Sequence, residues 1–305
     1  MALSMMLPLA ACVAALVVAV AAGWGGVLAR GTTAVPAAVW AVVAAVAFAA
    51  EAGGRAAGWF HDPAVIAGVR LAVVSLSLCP TMALLGAKRP QHGVWQFIVA
   101  SMACVLALPS ASAALARPGS LPDVHPLQRW FMPLLVLVGW MNFAATRHGW
   151  AALLVASGQM LLLAEFLPWQ DLDVAGADAI DAAAAVAVAA GASLAALQST
   201  LWPAGGRGWR RSHAAVTPLV ADEISAPFLA LRETLGAAWT LRIAERFNAV
   251  ATARGWPCRL SFTGLDAAGD PRDESWHRDA GRAARALFAR FATDDWLRRH
   301  GPAPP

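Results

Sequence analysis

The chain has 305 residues, of which 59% are hydrophobic and only 14% are charged, whereas about 25% of the residues in an ordinary soluble domain are charged. This composition excludes an ordinary soluble protein and predicts that the lipid bilayer is the main partner. The net charge of +4 does not indicate a nucleic-acid partner, because the basic residues are dispersed rather than clustered on one face.

The charged residues divide the chain into two parts. Residues 1–205 contain eight of the nineteen acidic and eight of the twenty-three basic residues, and the last hundred residues contain the others. The sequence therefore predicts a transmembrane helical domain over residues 1–205 and a cytoplasmic tail over residues 206–305. The expected fold class is an all-α polytopic membrane protein with a small C-terminal α+β tail.

Seven apolar stretches are long enough to cross the hydrocarbon core, which requires about twenty residues in a helix. They cover residues 5–28, 35–50, 64–87, 94–116, 130–146, 150–167 and 179–202. The connections between them are short, so neighbouring helices are expected to be antiparallel. The sequence predicts a bundle of about seven transmembrane helices, of which the second, fifth and sixth are close to the minimum length.

The basic residues in alternate connections predict the orientation, because cytoplasmic loops carry an excess of Lys and Arg. With the N-terminus outside, the inner connections contain seven such residues: Arg30, Lys88, Arg89, Arg147, Arg207, Arg210 and Arg211. The outer connections contain three: Arg55, Arg117 and Arg129. The sequence therefore predicts an outer N-terminus and a cytoplasmic C-terminus. Helical spans, rather than the strands of a barrel, favour a cell inner membrane.

Pro80 lies within the third predicted span. A proline inside a helix removes one backbone hydrogen bond and clashes with the preceding turn. Membrane helices tolerate this where neighbouring groups bind the freed carbonyl, and Ser77 and Thr81 lie close by in the sequence. Two interpretations remain: a kink that only affects packing, or a hinge in a broken helix that lines a site.

Charged residues in or beside the spans indicate a candidate polar pocket. Arg70 lies about two turns into the third span, and Glu51, Glu165, Asp178 and Asp181 lie near the same membrane face. An ionised group inside hydrocarbon costs at least about 2.5 kcal/mol. We therefore expect Arg70 to pair with Glu51, Glu165 or Asp181 in a pocket that opens outward. The alternative is that Arg70 extends to the membrane surface and has no functional role.

Histidine and aspartate residues in the outer connections form a weaker pattern. His61, Asp123 and His125, with Asp171 and Asp173 in another loop, could contribute to a divalent-metal site. Single residues of this kind in separate loops are more often solvated turn residues or helix caps. No cofactor is expected, because the histidines fall outside the span interiors, which counts against haem.

Three tryptophans suggest an internal repeat. Trp40, Trp95 and Trp150 are spaced by 55 residues, and each lies near the start of an even-numbered span. Three helical hairpins of common ancestry would explain this spacing. Tryptophan is also enriched at membrane interfaces, so chance is the alternative.

The tail pattern predicts a helix, a strand and a second helix. Apolar residues recur at intervals of three and four over residues 225–255, alternate with polar ones over 258–262, and recur again over 275–291. A single strand cannot form a sheet. We therefore expect this unit to dock on the membrane domain, to dimerise or to bind a partner.

Three functions remain open. The first is a structural or accessory membrane protein whose tail docks a partner. The second is a transporter or channel that uses the kinked third helix and the polar pocket. The third is a membrane enzyme with an outward metal or acid/base site. The sequence has no recognisable nucleophile motif and no glycine-rich phosphate loop, which favours the first function.

Overall fold

The computed structural model describes residues 2–86, 92–167, 177–202, 220–267 and 274–301. Three sequence features lie outside these residues: the basic turn at Lys88 and Arg89, the acidic pair Asp171 and Asp173, and the basic segment at residues 207–211. The predicted domain boundary at residues 205–206 also lies outside them.

Within the described residues, eight helices form a bundle. They are α1 (Ala2–Leu28), α2 (Val35–Ala56), α3 (Pro63–Ser77), α4 (Cys79–Leu85), α5 (His92–Ala116), α6 (Pro126–Ala144), α7 (Gly149–Leu163) and α8 (Ala177–Leu201), and a 3-10 turn at Ala164–Phe166 follows α7. Six of the described segments are long and apolar enough to cross a membrane, with α3 and α4 counted together as Pro63–Leu85. The bundle is therefore typical of a multi-pass membrane protein.

Helix α6 corresponds to the fifth predicted span but is not among these six segments. It has 19 residues, and Gln128, Arg129 and Asn142 lower its hydropathy. Near its start, the Gln128 side chain donates a hydrogen bond to the carbonyl of Leu106 on α5. The fifth stretch thus forms a helix, packed beside α5 and α7, but without the apolar character of the others.

The bundle interior depends on small residues where helices approach most closely. A Cβ atom at Gly158 of α7 would lie 2.6 Å from the carbonyl oxygen of Ala184, and one at Gly191 of α8 would lie 2.6 Å from that of Ala151. The backbones of α7 and α8 are therefore in direct contact, as small residues permit in membrane helices.

The exterior of the bundle is apolar. Val20, Phe97 and Leu115 have relative exposures of 74%, 73% and 85%. An apolar surface this extensive would be unfavourable in water and is what hydrocarbon requires.

The C-terminal domain contains four helices and a hairpin among the described residues. These are α9 (Val220–Leu235), α10 (Ala237–Arg254), β1 (Cys258–Ser261), β2 (Gly264–Ala267), α11 (Glu274–Phe288) and α12 (Asp294–His300). The two strands are antiparallel, with Cys258 opposite Ala267 and Ser261 opposite Gly264. Helices α9, α10 and α11 pack around the hairpin and enclose an apolar core.

Three details of the predicted tail were wrong. The single helix over 225–255 is two helices, because Gly236 has a φ of +78° and breaks the chain direction between them. The predicted lone strand pairs with β2, a second strand that the sequence pattern did not predict. The last predicted helix ends at Phe288, and Thr293 then begins α12 by accepting a hydrogen bond from the Trp296 N–H.

The C-terminal domain docks on one end of the bundle, which we call the proximal end; the opposite end is the distal end. The backbone N–H of Thr33 donates to the carbonyl of Phe291 (2.8 Å), and the N–H of Thr293 donates to the carbonyl of Gly31 (2.7 Å). The turn between α1 and α2 is therefore paired with the segment between α11 and α12. Docking on the bundle was one of the three arrangements expected for this domain.

Two side chains complete the proximal junction. The Asn142 amide on α6 donates to the carbonyl of Leu235 (3.0 Å) and accepts from the N–H of Ala238 (2.9 Å), so it bridges the break between α9 and α10. The Trp239 indole N–H donates to the carbonyl of Leu84 at the end of α4 (2.9 Å). The domain is thus anchored to three separate parts of the bundle end.

Candidate functional site

Three helices bring charged residues together at the distal end. Glu51 and Arg55 lie one turn apart near the end of α2, Arg70 lies in α3, and Asp178 and Asp181 lie in the first turns of α8. Since α2 and α3 are joined by a short connection, the end of one helix lies beside the start of the next. We call these five residues the distal network.

Arg70 contacts two carboxylates. Its Nη2 atom donates to Glu51 Oε1 at 2.8 Å and to Asp181 Oδ2 at 2.7 Å, and its Nη1 atom donates to Asp181 Oδ1. The pairing with Asp181 is bidentate, a geometry that the planar guanidinium group favours. Phe48 lies 5.7 Å from the Arg70 guanidinium carbon and adds a cation–π contact.

Arg55 also belongs to the distal network, although the sequence pattern had placed it in an outer connection. Its Nε atom lies 2.9 Å from Glu51 Oε1, its Nη1 atom lies 2.9 Å from Asp178 Oδ1, and its Nη2 atom lies 2.9 Å from Asp181 Oδ2. The spacing of four residues between Glu51 and Arg55 is the signal that could have identified it. Extending the second span by one turn would have placed both residues on one helix face.

The buried part of the network is electrically neutral. The side chains of Glu51, Arg70, Asp181 and Arg55 are only 1%, 5%, 9% and 10% exposed, which gives two positive and two negative groups. Asp178 is 41% exposed and lies at the edge. Removing charges from water is costly unless they pair with good geometry, and here Arg55 Nε and Nη2 lie within ion-pair distance of carboxylates but make no hydrogen bond within the described residues. Glu51 Oε2 and Arg70 Nε have no hydrogen-bonding partner among the described protein atoms.

Glu165, the remaining residue of the predicted pocket, lies outside the network. It follows α7 in the 3-10 turn, is exposed, and makes no hydrogen bond or ion pair within the described part of the chain. It is close enough to Arg70 and Asp181 to affect them electrostatically. Of the three expected partners, Arg70 therefore contacts Glu51 and Asp181.

The candidate metal ligands are not gathered into one site. His61 and Asp123 are exposed, and the His125 Nδ1 atom accepts a hydrogen bond from the N–H of Leu127 at the start of α6. Asp62 caps α3 in the same way. In the described ranges, no three His, Cys, Asp or Glu residues are grouped closely enough to hold a metal ion. His125 and Asp62 act as helix caps.

The candidate hinge at Pro80 is a packed interruption of the third span. The α-helix ends at Ser77 and begins again at Cys79, with Leu78 fully buried between them. The Gln159 side chain on α7 donates to the carbonyl of Ser77 at 2.7 Å. A side chain from a neighbouring helix thus binds a carbonyl at the interruption, as membrane helices require.

A second polar cluster lies at the proximal end, outside the spans. Arg147 donates from its backbone N–H to Glu233 Oε2 at 3.0 Å and from Nε to His148 Nε2 at 3.2 Å. His148 Nδ1 then faces Gln198 Oε1 at 3.0 Å, so Nδ1 carries the proton of a neutral imidazole. Burial, followed by the charge of Arg147, lowers the pKa of His148, and burial also lowers the pKa of Arg147.

A groove of about 1010 Å³ lies on the C-terminal domain between α10 and β1. Leu241 is 54% exposed and provides apolar surface, whereas Ala244 and Leu260 are buried at the base of the groove. None of the lining residues takes part in the hydrogen bonds that join the domain to the bundle. Among the described residues, the groove is therefore separate from the contacts that dock the domain.

Comparisons with protein families, with curated proteins and with solved structures give no match for this chain.

Proposed function

We propose that this chain is an accessory protein of a cell inner membrane, with seven transmembrane helices, an outer N-terminus and a cytoplasmic C-terminal domain. Its role is to hold that domain at the membrane and to present the groove between α10 and β1 to a protein partner. The observation that carries this proposal is an open groove whose lining residues take no part in the hydrogen bonds that anchor the domain to the bundle.

The seventh crossing is supported by the path of the chain through α6. Helix α5 leads away from the proximal end, and α7 begins at that end beside Arg147, so α6 must carry the chain back. Its 19 residues extend roughly 28 Å at about 1.5 Å per residue, close to the thickness of the hydrocarbon core. The cytoplasmic assignment is supported by the seven Lys and Arg residues of the predicted inner connections, against three in the outer ones.

The chemistry of the groove indicates its occupant. Leu241 offers exposed apolar surface, and Glu245, Asp266 and Arg259 place two acids and one base around it. The groove therefore fits an apolar protein segment that carries a basic residue.

The partner is expected to bind through its side chains rather than as an added strand. Asn248 already donates to the carbonyl of Leu260 (2.8 Å) and accepts from its N–H (2.7 Å). These bonds occupy the backbone groups that an incoming strand would need at this edge.

A photo-crosslinking amino acid in the groove tests this function in native membranes. Placed at Leu241, it should give one discrete protein adduct; placed at Val250, an exposed residue of the same helix that does not line the groove, it should not. Glu245→Arg should reduce the adduct by about fivefold or more, since it reverses a charge at the contact. Identical adducts from positions 241 and 250, or none from either, would refute the accessory role.

Transport is the second candidate, and the interruption at Leu78 favours it. Broken helices form the substrate sites of many transporters. Here the carbonyl of Ser77, at the end of α3, accepts a hydrogen bond from the side chain of Gln159. Proteoliposomes that contain the purified chain should then show an ion or proton flux that Gln159→Leu changes. Flux equal to that of protein-free liposomes would exclude this candidate and leave the accessory role.

A further inference from the structure

Four exposed arginines lie where the C-terminal domain meets the end of α1. They are Arg30, Arg290, Arg298 and Arg299, and we call them the basic corner. Arg30 lies two residues beyond the end of α1 at Leu28, and Arg298 and Arg299 lie in the last turn of α12. The four residues come from three separate parts of the sequence, so only the fold brings them together.

The contacts at the junction fix the basic corner. Arg299 Nη2 donates to the backbone carbonyl of Arg30 at 3.4 Å. Arg290 immediately precedes Phe291, whose carbonyl accepts the hydrogen bond from Thr33. The Arg299 side chain of the domain is therefore held against the backbone at Arg30, in the first residues beyond α1.

The nearby acids do not neutralise this positive charge. Asp295 precedes Arg299 by four residues, a spacing that favours an ion pair on a helix. Within the described residues, however, Arg299 makes no ion pair and turns toward Arg30 instead. Asp294 and Asp295 lie in the first turn of α12, so the corner keeps an excess of two positive charges over these two acids.

Tryptophans place the corner at the depth of lipid headgroups. Trp24, four residues before the end of α1, is 48% exposed and donates its indole N–H to Thr200 of α8. Trp202, just beyond α8, is 64% exposed. Exposed tryptophans of this kind mark the membrane interface, and the basic corner lies just beyond it.

We propose that the basic corner binds the phosphate headgroup of an anionic phospholipid in the leaflet that faces the C-terminal domain. Guanidinium groups bind phosphate oxygens in a bidentate manner, and a phosphate at this corner is contacted from the bundle by Arg30 and from the C-terminal domain by Arg299. The bound lipid therefore also strengthens the junction between the domain and the bundle. This proposal rests on the membrane topology proposed above.

Nanodiscs provide the test. The full chain is incorporated into nanodiscs of phosphatidylcholine alone and into nanodiscs with equal amounts of phosphatidylcholine and phosphatidylglycerol, and retained lipid is counted by native mass spectrometry. The wild type should retain phosphatidylglycerol preferentially. In the double variant R30Q/R299Q this preference should fall by about fivefold for each arginine removed.

The matched control is R254Q/R278Q, which removes the same charge from exposed positions on α10 and α11, away from the junction. It should keep the wild-type preference. Equal preference in the wild type and R30Q/R299Q, or equal loss in both double variants, would overturn the lipid site. If inorganic phosphate raises the melting temperature of the chain in phosphatidylcholine nanodiscs as much as phosphatidylglycerol does, the corner binds a soluble anion instead of a lipid. Failure of the wild type to enter nanodiscs would refute the membrane topology itself, so the two proposals fail separately.

Discussion

The two ends of the bundle are held together by different kinds of interaction. At the distal end, five charged side chains from α2, α3 and α8 form ion pairs in which two buried arginines and two buried carboxylates cancel. At the proximal end, backbone groups of Thr33 and Thr293, the Asn142 amide and the Trp239 indole make most of the connecting hydrogen bonds.

This difference determines how each end responds to a lost group. A buried charge that loses its partner bears its full desolvation cost, so each member of the distal network depends on the others. A neutral hydrogen bond contributes about 1 kcal/mol, and the loss of one leaves the remaining junction intact. We therefore expect single substitutions to have large effects at the distal end and graded effects at the proximal end.

The largest effect is expected for Arg70→Ala, which leaves Glu51 and Asp181 with only Arg55 in the buried network. The expected loss in the free energy of unfolding is about 3–5 kcal/mol, measured by denaturant titration in detergent micelles. Arg117→Ala, in an exposed distal loop, is the control and should change little. The double variant R70M/D181L should be more stable than Arg70→Ala, because it removes one charge of each sign; if it is less stable, the ion-pair explanation is wrong.

The next effect is expected at the break between α9 and α10. A Cβ at Gly236 would lie 2.2 Å from Asn142 Nδ2, and its φ of +78° is unfavourable for alanine. Gly236→Ala should therefore cost about 2–4 kcal/mol from strain and lost junction contacts. Gly255→Ala shares the positive φ but has no atom within 4 Å of the new Cβ, so it should cost about 1 kcal/mol. Equal losses would show that the Asn142 contact contributes nothing.

A smaller effect is expected for Trp239→Phe. The change removes the hydrogen bond to the Leu84 carbonyl but keeps an aromatic ring beside Phe291. The loss should be about 1 kcal/mol, together with faster hydrogen–deuterium exchange in α12. Trp256→Phe, at a ring that packs on Phe247 within the C-terminal domain, should leave exchange in α12 unchanged. If exchange in α12 becomes slower in the Trp239→Phe variant, or does not change, the proposed anchoring is wrong.

The smallest effect is a dependence of stability on pH at the proximal end. The folded-state pKa of His148 lies below its ordinary value of about 6.5. The unfolded chain therefore binds more protons below that pH, and stability that is present above about pH 6.5 is lost as the pH falls. His148→Gln should flatten the melting temperature between pH 7 and about pH 5.5, whereas His61→Gln, at an exposed distal position, should not. The pKa of His300 is lowered by burial as well, so His300→Gln should flatten the remaining slope.

The distal network shows what sequence patterns can and cannot predict about a site. Charge within an apolar span made Arg70 conspicuous, and its need for a carboxylate gave Glu51 and Asp181 as candidates. Arg55 was missed because the predicted second span ended at residue 50, although α2 continues to Ala56. Glu165 also lies at the end of a predicted span, but within the described residues it makes no hydrogen bond or ion pair with the network, although it lies close enough to interact with it electrostatically.

The C-terminal domain was predicted less well, for a related reason. The apolar repeat of α10 and its end at Gly255 follow from local pattern, and Gly255 caps the helix in the left-handed conformation. The break at Gly236 does not follow from the local pattern, since a glycine could also lie inside a continuous helix. Strand β2 has only four residues, and it pairs because β1 and Ser225 of α9 bind its backbone.

The sequence alone determined that the first two hundred residues form long apolar helices of the kind that cross a membrane, because hydropathy and helix length depend only on local composition. Tertiary structure alone decided that Arg55 joins Arg70, that Asn142 bridges α9 and α10, and that Arg30 lies beside Arg299. Those contacts join residues distant in the chain, and their geometry depends on how backbones approach one another, which no local pattern specifies.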